Sequence, residues 1–216
     1  MNQATANPES LQDAAQLAHD QLQEHVRAMM QWHFSPETGC DYWLDFAAKA
    51  DFNPLTDVQT YDDIVRLFDN FDADQCFRFM PHEIFVPKAY KGRPYSIFET
   101  GGTTGMPKQR IGWDDYKIDY EQFSNTLNDA HFPPGENWLM IGPTGPRRLR
   151  LAIEHLANHR GSSCYFVDLD PRWVKKLIKS GQHDQAKAYM VHVIDQAMLI
   201  IENRNVSALF TTPRLL

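Results

Sequence analysis

An alternation of short apolar runs with helical segments in the second half of the chain most constrains the fold. Apolar runs bounded by turn residues occupy residues 137–142, 163–167 and 206–210, which is typical of buried strands. Helical spacing over residues 149–158 separates the first two runs. A helix that begins at Pro171, and a long amphipathic one over residues 183–203, separate the last two. Strands that alternate with helices predict an α/β layered fold with parallel strands.

The first 80 residues have a different pattern. Residues 11–30 carry a helical apolar stripe, and shorter helical stretches follow, interrupted by Pro36 and Pro54. Thr60 is typical of a helix N-cap, since acids follow it in the first turn. We therefore expect a helical N-terminal lobe over residues 1–80 and an α/β subdomain over residues 81–216. Because a further helix would begin at Thr211-Thr212-Pro213, we expect that subdomain to be incomplete.

A loop rich in glycine and threonine, with the sequence TGGTTGMPK, occupies residues 100–108. It follows a short strand expected at 93–99 and precedes a helix expected at 114–127. Three glycines in six residues let the backbone approach an anion and adopt positive φ, so that successive N–H groups can form an anion-binding nest. Hydroxyls add further donors, one of them also offers an oxygen to magnesium, and a lysine supplies positive charge. These candidate phosphate-binding residues are Thr100, Gly101, Gly102, Thr103, Thr104 (the magnesium candidate), Gly105 and Lys108.

The loop matches neither the Walker A pattern nor the dinucleotide Gly-x-Gly-x-x-Gly pattern. Its composition suits a polyphosphate, although a glycine- and threonine-rich turn without a ligand is an alternative. Residues 100–108 resemble the phosphate-loop signature of the adenylate-forming superfamily, which includes acyl-CoA ligases, luciferases and peptide-synthetase adenylation domains. That signature is usually Thr-Ser-Gly-Thr-Thr-Gly-x-Pro-Lys, so Gly101 stands where the family has serine.

Weaker similarities extend the resemblance over residues 40–216, and the matching segments occur in the same order as in the family. Residues 51–64 look like the opening of phenylacetate-CoA-ligase-like members. Residues 142–146 lie where the family begins to line its acyl pocket, and residues 200–213 look like the segment that leads to the next helix of the nucleotide domain. The resemblance implies that the α/β subdomain is part of the N-terminal domain of an adenylate-forming ligase.

The resemblance also implies a reaction. A carboxylic acid, by the phenylacetate-type opening an aromatic one, would attack the α-phosphate of MgATP, giving acyl-AMP and pyrophosphate. ATP and Mg²⁺ are thus the expected cofactors. In many relatives CoA or a carrier-protein thiol then takes the acyl group, often in the biosynthesis of antibiotics or other secondary metabolites.

The catalytic residues stay unassigned, because the family's later motifs have no counterpart in this chain. Those motifs would supply an adenine-contacting Tyr-Gly segment, a magnesium-binding Glu, a ribose-binding Asp and a catalytic Lys. Two alternatives to a CoA ligase therefore stay open. One is an adenylating partner that serves a carrier protein or a reductase, and the other is a non-catalytic nucleotide-binding or interaction module.

Gly142, Gly145 and Arg147 are the candidate substrate-binding residues, since they follow the strand expected at 137–142. Arg147 and Arg148 stand where many relatives place a histidine or an aromatic gate. Either arginine is a pocket cation that meets a carboxylate, or both form the basic first turn of a solvated helix. For Arg148 the helix-face interpretation is favoured, and for Arg147 both stay open.

For four further pairs or sets of residues, a structural role is favoured over a functional one. His155 and His159 share a helix face, but no acid stands between them as in His-Glu-x-x-His, so a metal pair is disfavoured. His33 and Cys40 suggest a nucleophile and base, although a buried cysteine is the usual outcome. Asp168 and Asp170 either line the crevice at the carboxyl end of a strand or cap the helix at Pro171. Three aromatic residues are interpreted as core: Trp138, Tyr165 and Phe166.

Composition excludes several classes of partner. The net charge is −7 and lysines and arginines form no run, so nucleic acid is not expected as a partner. No apolar run approaches the ~20 residues that span a bilayer, and no membrane partner is expected. Three cysteines without a Cys-x-x-Cys pair indicate a reducing compartment. Together with an N-terminus that lacks the apolar region of a signal peptide, these features predict the cytoplasm.

Overall fold

The computed structural model describes residues 10–69, 71–102 and 105–212. The chain forms two compact units, the first ending at Arg93 and the second beginning at Pro94. The first unit is helical, and the second combines helices with strands. None of the described helices is both long enough and apolar enough to cross a membrane.

The described residues of the first unit form five α-helices followed by two 3₁₀ turns. Local capping residues set several of these boundaries. Ser10 Oγ accepts the Asp13 N–H at the start of the first helix, and Thr60 forms a reciprocal capping box with Asp63 at the start of the fourth. The helices are α1 (Leu11–Phe34), α2 (Asp41–Lys49), α3 (Pro54–Asp57), α4 (Tyr61–Leu67) and α5 (Ala73–Phe79), and the 3₁₀ turns cover His82–Phe85 and Lys88–Tyr90.

Aromatic rings dominate the core of the first unit. Phe34 of α1 is buried, and its ring meets Trp43 of α2 edge to face at a centroid distance of 5.6 Å. The Phe46 and Phe68 rings stack at 5.4 Å, so α2 is joined to the end of α4. The ring of Tyr42 in α2 contacts the ring of Phe85, so the first 3₁₀ turn packs onto the helices of the same unit.

The second unit contains an antiparallel hairpin and a parallel sheet with helices on both faces. The hairpin pairs β1 with β2, and the parallel sheet has the strand order β4-β3-β5. Its elements are β1 (Ser96–Glu99), β2 (Gln109–Gly112), α6 (Asp115–Ser124), β3 (Trp138–Gly142), α7 (Arg148–His159), β4 (Cys164–Asp168), α8 (Pro171–Lys179), α9 (His183–Asn203) and β5 (Ala208–Phe210).

Strand β3 lies in the middle of the parallel sheet, and all five of its residues are buried. Because side chains alternate along a strand, Trp138 and Met140 point to one face and Leu139 and Ile141 to the other. The first face packs against α7, which contributes Ile153, Leu156 and Ala157. The second face packs against α9, which contributes Val193 and Ala197.

The predicted mixed α/β architecture with parallel strands is confirmed in this coarse form. The three expected strands at 137–142, 163–167 and 206–210 correspond to β3, β4 and β5. Strand β2 was not predicted, because Gln109-Arg110-Ile111-Gly112 is short and carries a single apolar side chain. The helix expected to begin at Thr211-Thr212-Pro213 falls largely outside the described residues, which end at Thr212.

Removal of the Ile153 side chain is expected to destabilise the second unit. Ile153 is fully buried between α7 and the sheet, so Ile153→Ala should lower the free energy of unfolding by about 2–5 kcal/mol. Urea unfolding, followed by the fluorescence of the neighbouring Trp138, measures the change. Ile118→Ala is the matched control, because Ile118 is 59% exposed and its loss should cost less than about 0.5 kcal/mol. Equal effects of the two substitutions would contradict the assigned core.

Candidate functional site

The loop at residues 100–108 connects β1 and β2, and two hydrogen bonds hold its ends together. The Thr100 N–H donates to the Lys108 carbonyl at 3.0 Å, and the Lys108 N–H donates to Thr100 Oγ1 at 3.0 Å. These two bonds, here called the Thr100–Lys108 clasp, extend the hairpin by one pair beyond Glu99 and Gln109. Because the Thr100 hydroxyl accepts in the clasp, its own hydrogen is left to donate to a ligand.

Two glycines inside the loop have backbone conformations that favour glycine. Gly102 has φ of 60° and Gly105 has φ of 133°. A Cβ atom on Gly102 would also lie 2.9 Å from Cγ of Pro107, which is closer than real contacts allow. The candidate phosphate-binding residues Thr103 and Thr104 lie outside the described residues. The predicted magnesium contact of Thr104 therefore stays a prediction.

The loop shares a cavity with the carboxyl edge of the parallel sheet. The cavity has a volume of about 250 Å³, and Gly101 of the loop lines one part of it. Gly145 lines it from the segment that follows β3. Asp168, Asp170 and Arg172 line it from the end of β4 and the start of α8. Segments that leave the carboxyl ends of neighbouring parallel strands thus meet the loop, at the edge where α/β proteins usually bind ligands.

The two aspartates of the cavity have different roles in the fold. Asp170 caps α8, since its Oδ1 accepts the Arg172 N–H at 2.8 Å and the Trp173 N–H at 3.3 Å. Asp168 Oδ1 instead accepts the N–H and the hydroxyl of Thr144, at 3.0 and 2.9 Å. Asp168 thereby fixes the segment after β3. The predicted cap is confirmed for Asp170, and both aspartates also line the crevice.

Arg172 is the cation of the cavity, and the sequence analysis did not identify it. Its Nε lies 3.6 Å from Asp170 Oδ1. Gly145 lies beside the guanidinium, since a Cβ atom on it would be in ordinary van der Waals contact with Nη2, at 3.4 Å. A signal was present in the sequence, because Asp170-Pro171-Arg172 follows the strand at 163–167 and places a basic residue in the first turn of the helix.

The three predicted substrate-binding residues lie in different environments. Gly145 lines the cavity. Gly142 is buried at the end of β3, where its carbonyl accepts the Leu169 N–H at 3.1 Å. Arg147 is exposed at the start of α7, and its φ of 67° is the one positive value among the described non-glycine residues. Its guanidinium makes no hydrogen bond or ion pair with any residue that the structure describes.

Arg148 ties α7 to α6. Its Nη2 lies 2.6 Å from Asp119 Oδ2 and 3.1 Å from Asp115 Oδ2, both on α6. These two hydrogen-bonded ion pairs raise the pKa of the guanidinium against the opposing effect of burial. Arg148 therefore lies in the first turn of α7, as the favoured interpretation has it, but its guanidinium contacts α6 and does not lie on a solvated helix face.

The two histidines of α7 also contact α6. His155 Nε2 lies 2.8 Å from Glu121 Oε1, and His159 Nδ1 lies 3.1 Å from Ser124 Oγ. Over residues 10–69, 71–102 and 105–212, no three or more histidine, cysteine, aspartate or glutamate side chains are grouped as metal ligands. His155 and His159 thus act as contacts between neighbouring helices.

The environments of His33 and Cys40 disfavour a nucleophile and base pair. Burial raises the pKa of the Cys40 thiol, which is 2% exposed, and burial also lowers the pKa of His33. Both changes favour neutral side chains. The three aromatic residues lie in cores: Trp138 is buried, Phe166 packs on the α7 face of the sheet and Tyr165 packs on the α9 face.

Comparison of the chain with models of known protein families found no match, and a search among curated proteins found none either. The functional proposal therefore depends on the residues of the cavity and on the resemblance carried by residues 100–108.

Substitutions at Asp170 separate its charge from its role as a helix cap. Asp170→Ala should lower stability by about 1 kcal/mol, because the N–H groups of Arg172 and Trp173 lose their acceptor. Asp170→Asn should change stability by only a few tenths of a kcal/mol, since asparagine is an equally good N-cap. Urea unfolding compares the two variants. A loss in Asp170→Asn as large as in Asp170→Ala would show that the carboxylate charge, and not the cap, stabilises the fold.

Proposed function

We propose that this chain binds the phosphates of ATP for the activation of a carboxylic acid as acyl-AMP, with release of pyrophosphate. The observation that carries the proposal is the position of the glycine- and threonine-rich loop. The Thr100–Lys108 clasp closes the loop, and Gly101 forms part of a cavity at the carboxyl edge of a parallel sheet. The loop proposed to bind phosphate thus adjoins a space for a small molecule.

The loop has the chemical groups that a polyphosphate needs. Backbone N–H groups near Gly101, Gly102 and Gly105 supply donors without side-chain obstruction, and the Thr100 hydroxyl retains a hydrogen to donate. Lys108 supplies a positive charge at the end of the loop. We infer that these groups bind the β- and γ-phosphates and stabilise the negative charge of the departing pyrophosphate. Mg²⁺ would enter together with ATP.

The cavity would hold the acid beside the nucleotide. A guanidinium is suited to a carboxylate, and Arg172 lines the cavity beside Asp170 and Gly145. In the proposed reaction a carboxylate oxygen forms a bond to the α-phosphorus, and the bond from that phosphorus to the pyrophosphate oxygen breaks. A nearby cation reduces the repulsion between the two anions as they approach.

The preference for an aromatic acid and for CoA or a carrier-protein thiol as the acceptor rests on the resemblance alone. An enzyme that forms acyl-AMP for a reductase or a carrier protein, without CoA, stays an alternative with the same activation chemistry. A non-catalytic nucleotide-binding module is an alternative of another class, since it would need the loop but not the reaction.

Acid-dependent exchange of labelled pyrophosphate into ATP tests the proposed reaction directly. We expect exchange with at least one acid in a panel that pairs aryl acids with aliphatic acids of similar size. A lack of exchange with every acid, together with retained ATP binding, would contradict the reaction and favour the nucleotide-binding module. A lack of ATP binding would contradict both the proposed reaction and the nucleotide-binding module.

Substitutions in the loop should weaken ATP binding to different extents. Lys108→Ala removes a charge-assisted contact and should weaken binding by roughly tenfold or more. Thr100→Val removes the acceptor of the clasp and should weaken binding roughly threefold to tenfold, while Thr100→Ser should restore it. Equilibrium dialysis with radiolabelled ATP measures each dissociation constant.

The matched control for the charge change is Lys179→Ala, in the last turn of α8. It alters the net charge as Lys108→Ala does, but it lies outside the loop and the cavity, so ATP affinity should be unchanged. Equal affinity of the wild-type chain, Lys108→Ala and Thr100→Val for ATP would contradict the assignment of the loop.

A further inference from the structure

The helical first unit contains an apolar cavity that the proposed reaction does not use. Its volume is about 250 Å³, and it is lined by residues of α1, of α2, of α4 and of the segment after α4. The lining carries four aromatic residues, two methionines, an isoleucine and one histidine. Because protein interiors leave few voids larger than a water molecule, a space of this size has the character of a ligand site.

Four aromatic rings form a connected wall of this cavity. The centroid of the Phe34 ring lies 5.6 Å from that of Trp43 and 5.9 Å from that of Phe68. The Phe71 ring joins this group through Trp43, at 5.2 Å. These contacts hold the rings in place, and aromatic rings pack favourably against a further ring in edge-to-face or offset geometry. The wall therefore favours an aromatic ligand over an aliphatic one of the same size.

Among the described residues that line the cavity, His33 alone is polar. It is half-buried, and its imidazole makes no hydrogen bond or ion pair with any residue that the structure describes. Burial lowers the pKa of His33, so the ring is neutral near pH 7 and offers one donor and one acceptor nitrogen. A hydroxyl or an N–H group on the ligand would complete this hydrogen bond.

The charge and the size of the cavity narrow the class of ligand further. Its described lining contains no lysine, arginine, aspartate or glutamate. An ionised carboxylate would lose its hydration there without gaining a cation, so the aromatic acid of the proposed reaction does not suit this cavity. Apolar cavities of about 150 Å³ bind benzene, so this larger one has room for a substituted ring or two fused rings.

We propose that this cavity binds a small neutral aromatic molecule that carries one hydroxyl or N–H group, such as a phenol or an indole. The aromatic wall packs against the ring of the ligand, and His33 forms a hydrogen bond with its polar group. This inference goes beyond the proposed reaction and does not depend on it, because the two cavities have no lining residue in common.

Four ligands of similar size, namely phenol, toluene, cyclohexanol and benzoate, test the ligand class. Isothermal titration calorimetry of the full chain with phenol should give a dissociation constant on the order of 0.1 mM, as suits a ligand with so few atoms. Cyclohexanol should bind roughly threefold to tenfold more weakly, because it lacks the contacts between aromatic rings. Benzoate should show no detectable binding, since its carboxylate would be buried without a cation.

Substitution of His33 separates the polar contact from the apolar ones. His33→Leu should weaken phenol binding by roughly tenfold or more, because the buried hydroxyl would lose its partner. Toluene has no polar group, so its affinity should not fall. His25→Leu is the matched control, since His25 is exposed on the same helix and does not line the cavity. It should leave both affinities unchanged.

A larger side chain at the edge of the cavity tests the location of the ligand. Met29 lines the cavity and is 36% exposed, so Met29→Trp should block binding of phenol and toluene without disturbing the buried core. Leu22→Trp is the matched control, because Leu22 is 42% exposed on the same helix and lies outside the cavity lining. Nuclear Overhauser effects from phenol to the methyl groups of Met29 and Met30 locate the ligand in the wild-type chain, without any substitution.

The proposal fails on any of four results. A lack of phenol binding overturns it and leaves the cavity to a side chain of a partner protein. Benzoate binding equal to that of phenol excludes the restriction to neutral ligands. Unchanged phenol affinity in His33→Leu excludes the polar contact. Unchanged phenol affinity in Met29→Trp, with no Overhauser effect to Met29 or Met30 in the wild-type chain, places the ligand outside this cavity.

Discussion

The burial of β3 on both faces is the constraint on which the second unit depends. Leu139 and Met140 are adjacent in sequence and fully buried, yet they belong to different cores. Such a strand needs a helical layer on each side, because an apolar face left in water would lose the free energy of burial. Helices α7 and α9 supply those layers. The connections that reach them leave the carboxyl ends of β3 and β4, so the same edge of the sheet receives the segments that surround the cavity.

Irregular backbone at that edge is stabilised by a few specific contacts. Asp168 binds the backbone and hydroxyl of Thr144, and the Leu169 N–H donates to the Gly142 carbonyl. The segments after β3 and β4 are therefore tied to each other before any ligand is present. This arrangement explains why a guanidinium, two carboxylates and a glycine loop surround one small space in the proposed site.

Much of the second unit could be predicted from the sequence, since strong apolar runs and capping residues carry the signal. Strands β3, β4 and β5, helix α9 and the Asp170 cap followed from such patterns. Strand β2 did not, because it is short, carries a single apolar side chain and is recognised by its pairing with β1. Arg172 was also missed. Its place in the cavity comes from tertiary packing, which brings Arg172 beside Gly145 from a segment far away in sequence.

Some features of the site residues could likewise be predicted from the sequence, and others could not. The periodicity of α7 put His155 and His159 on one face, but the acceptors Glu121 and Ser124 lie on another helix, and no local pattern links them. Arg147 and Arg148 are neighbours of equal charge, and only tertiary structure distinguishes them. Arg148 meets two aspartates of α6, whereas Arg147 stays exposed at a backbone conformation unusual for its residue type.

The Thr100–Lys108 clasp has a thermodynamic consequence for ligand binding. Loops rich in glycine have many conformations in solution, and a ligand that selects one of them opposes that entropy. The two hydrogen bonds of the clasp join the ends of the loop when the chain folds. The conformational entropy that is lost on closing the loop is therefore part of the free energy of folding. If the proposed function is correct, an anion would meet a loop whose two ends are already joined. Less of its binding free energy would then be spent on closing the loop.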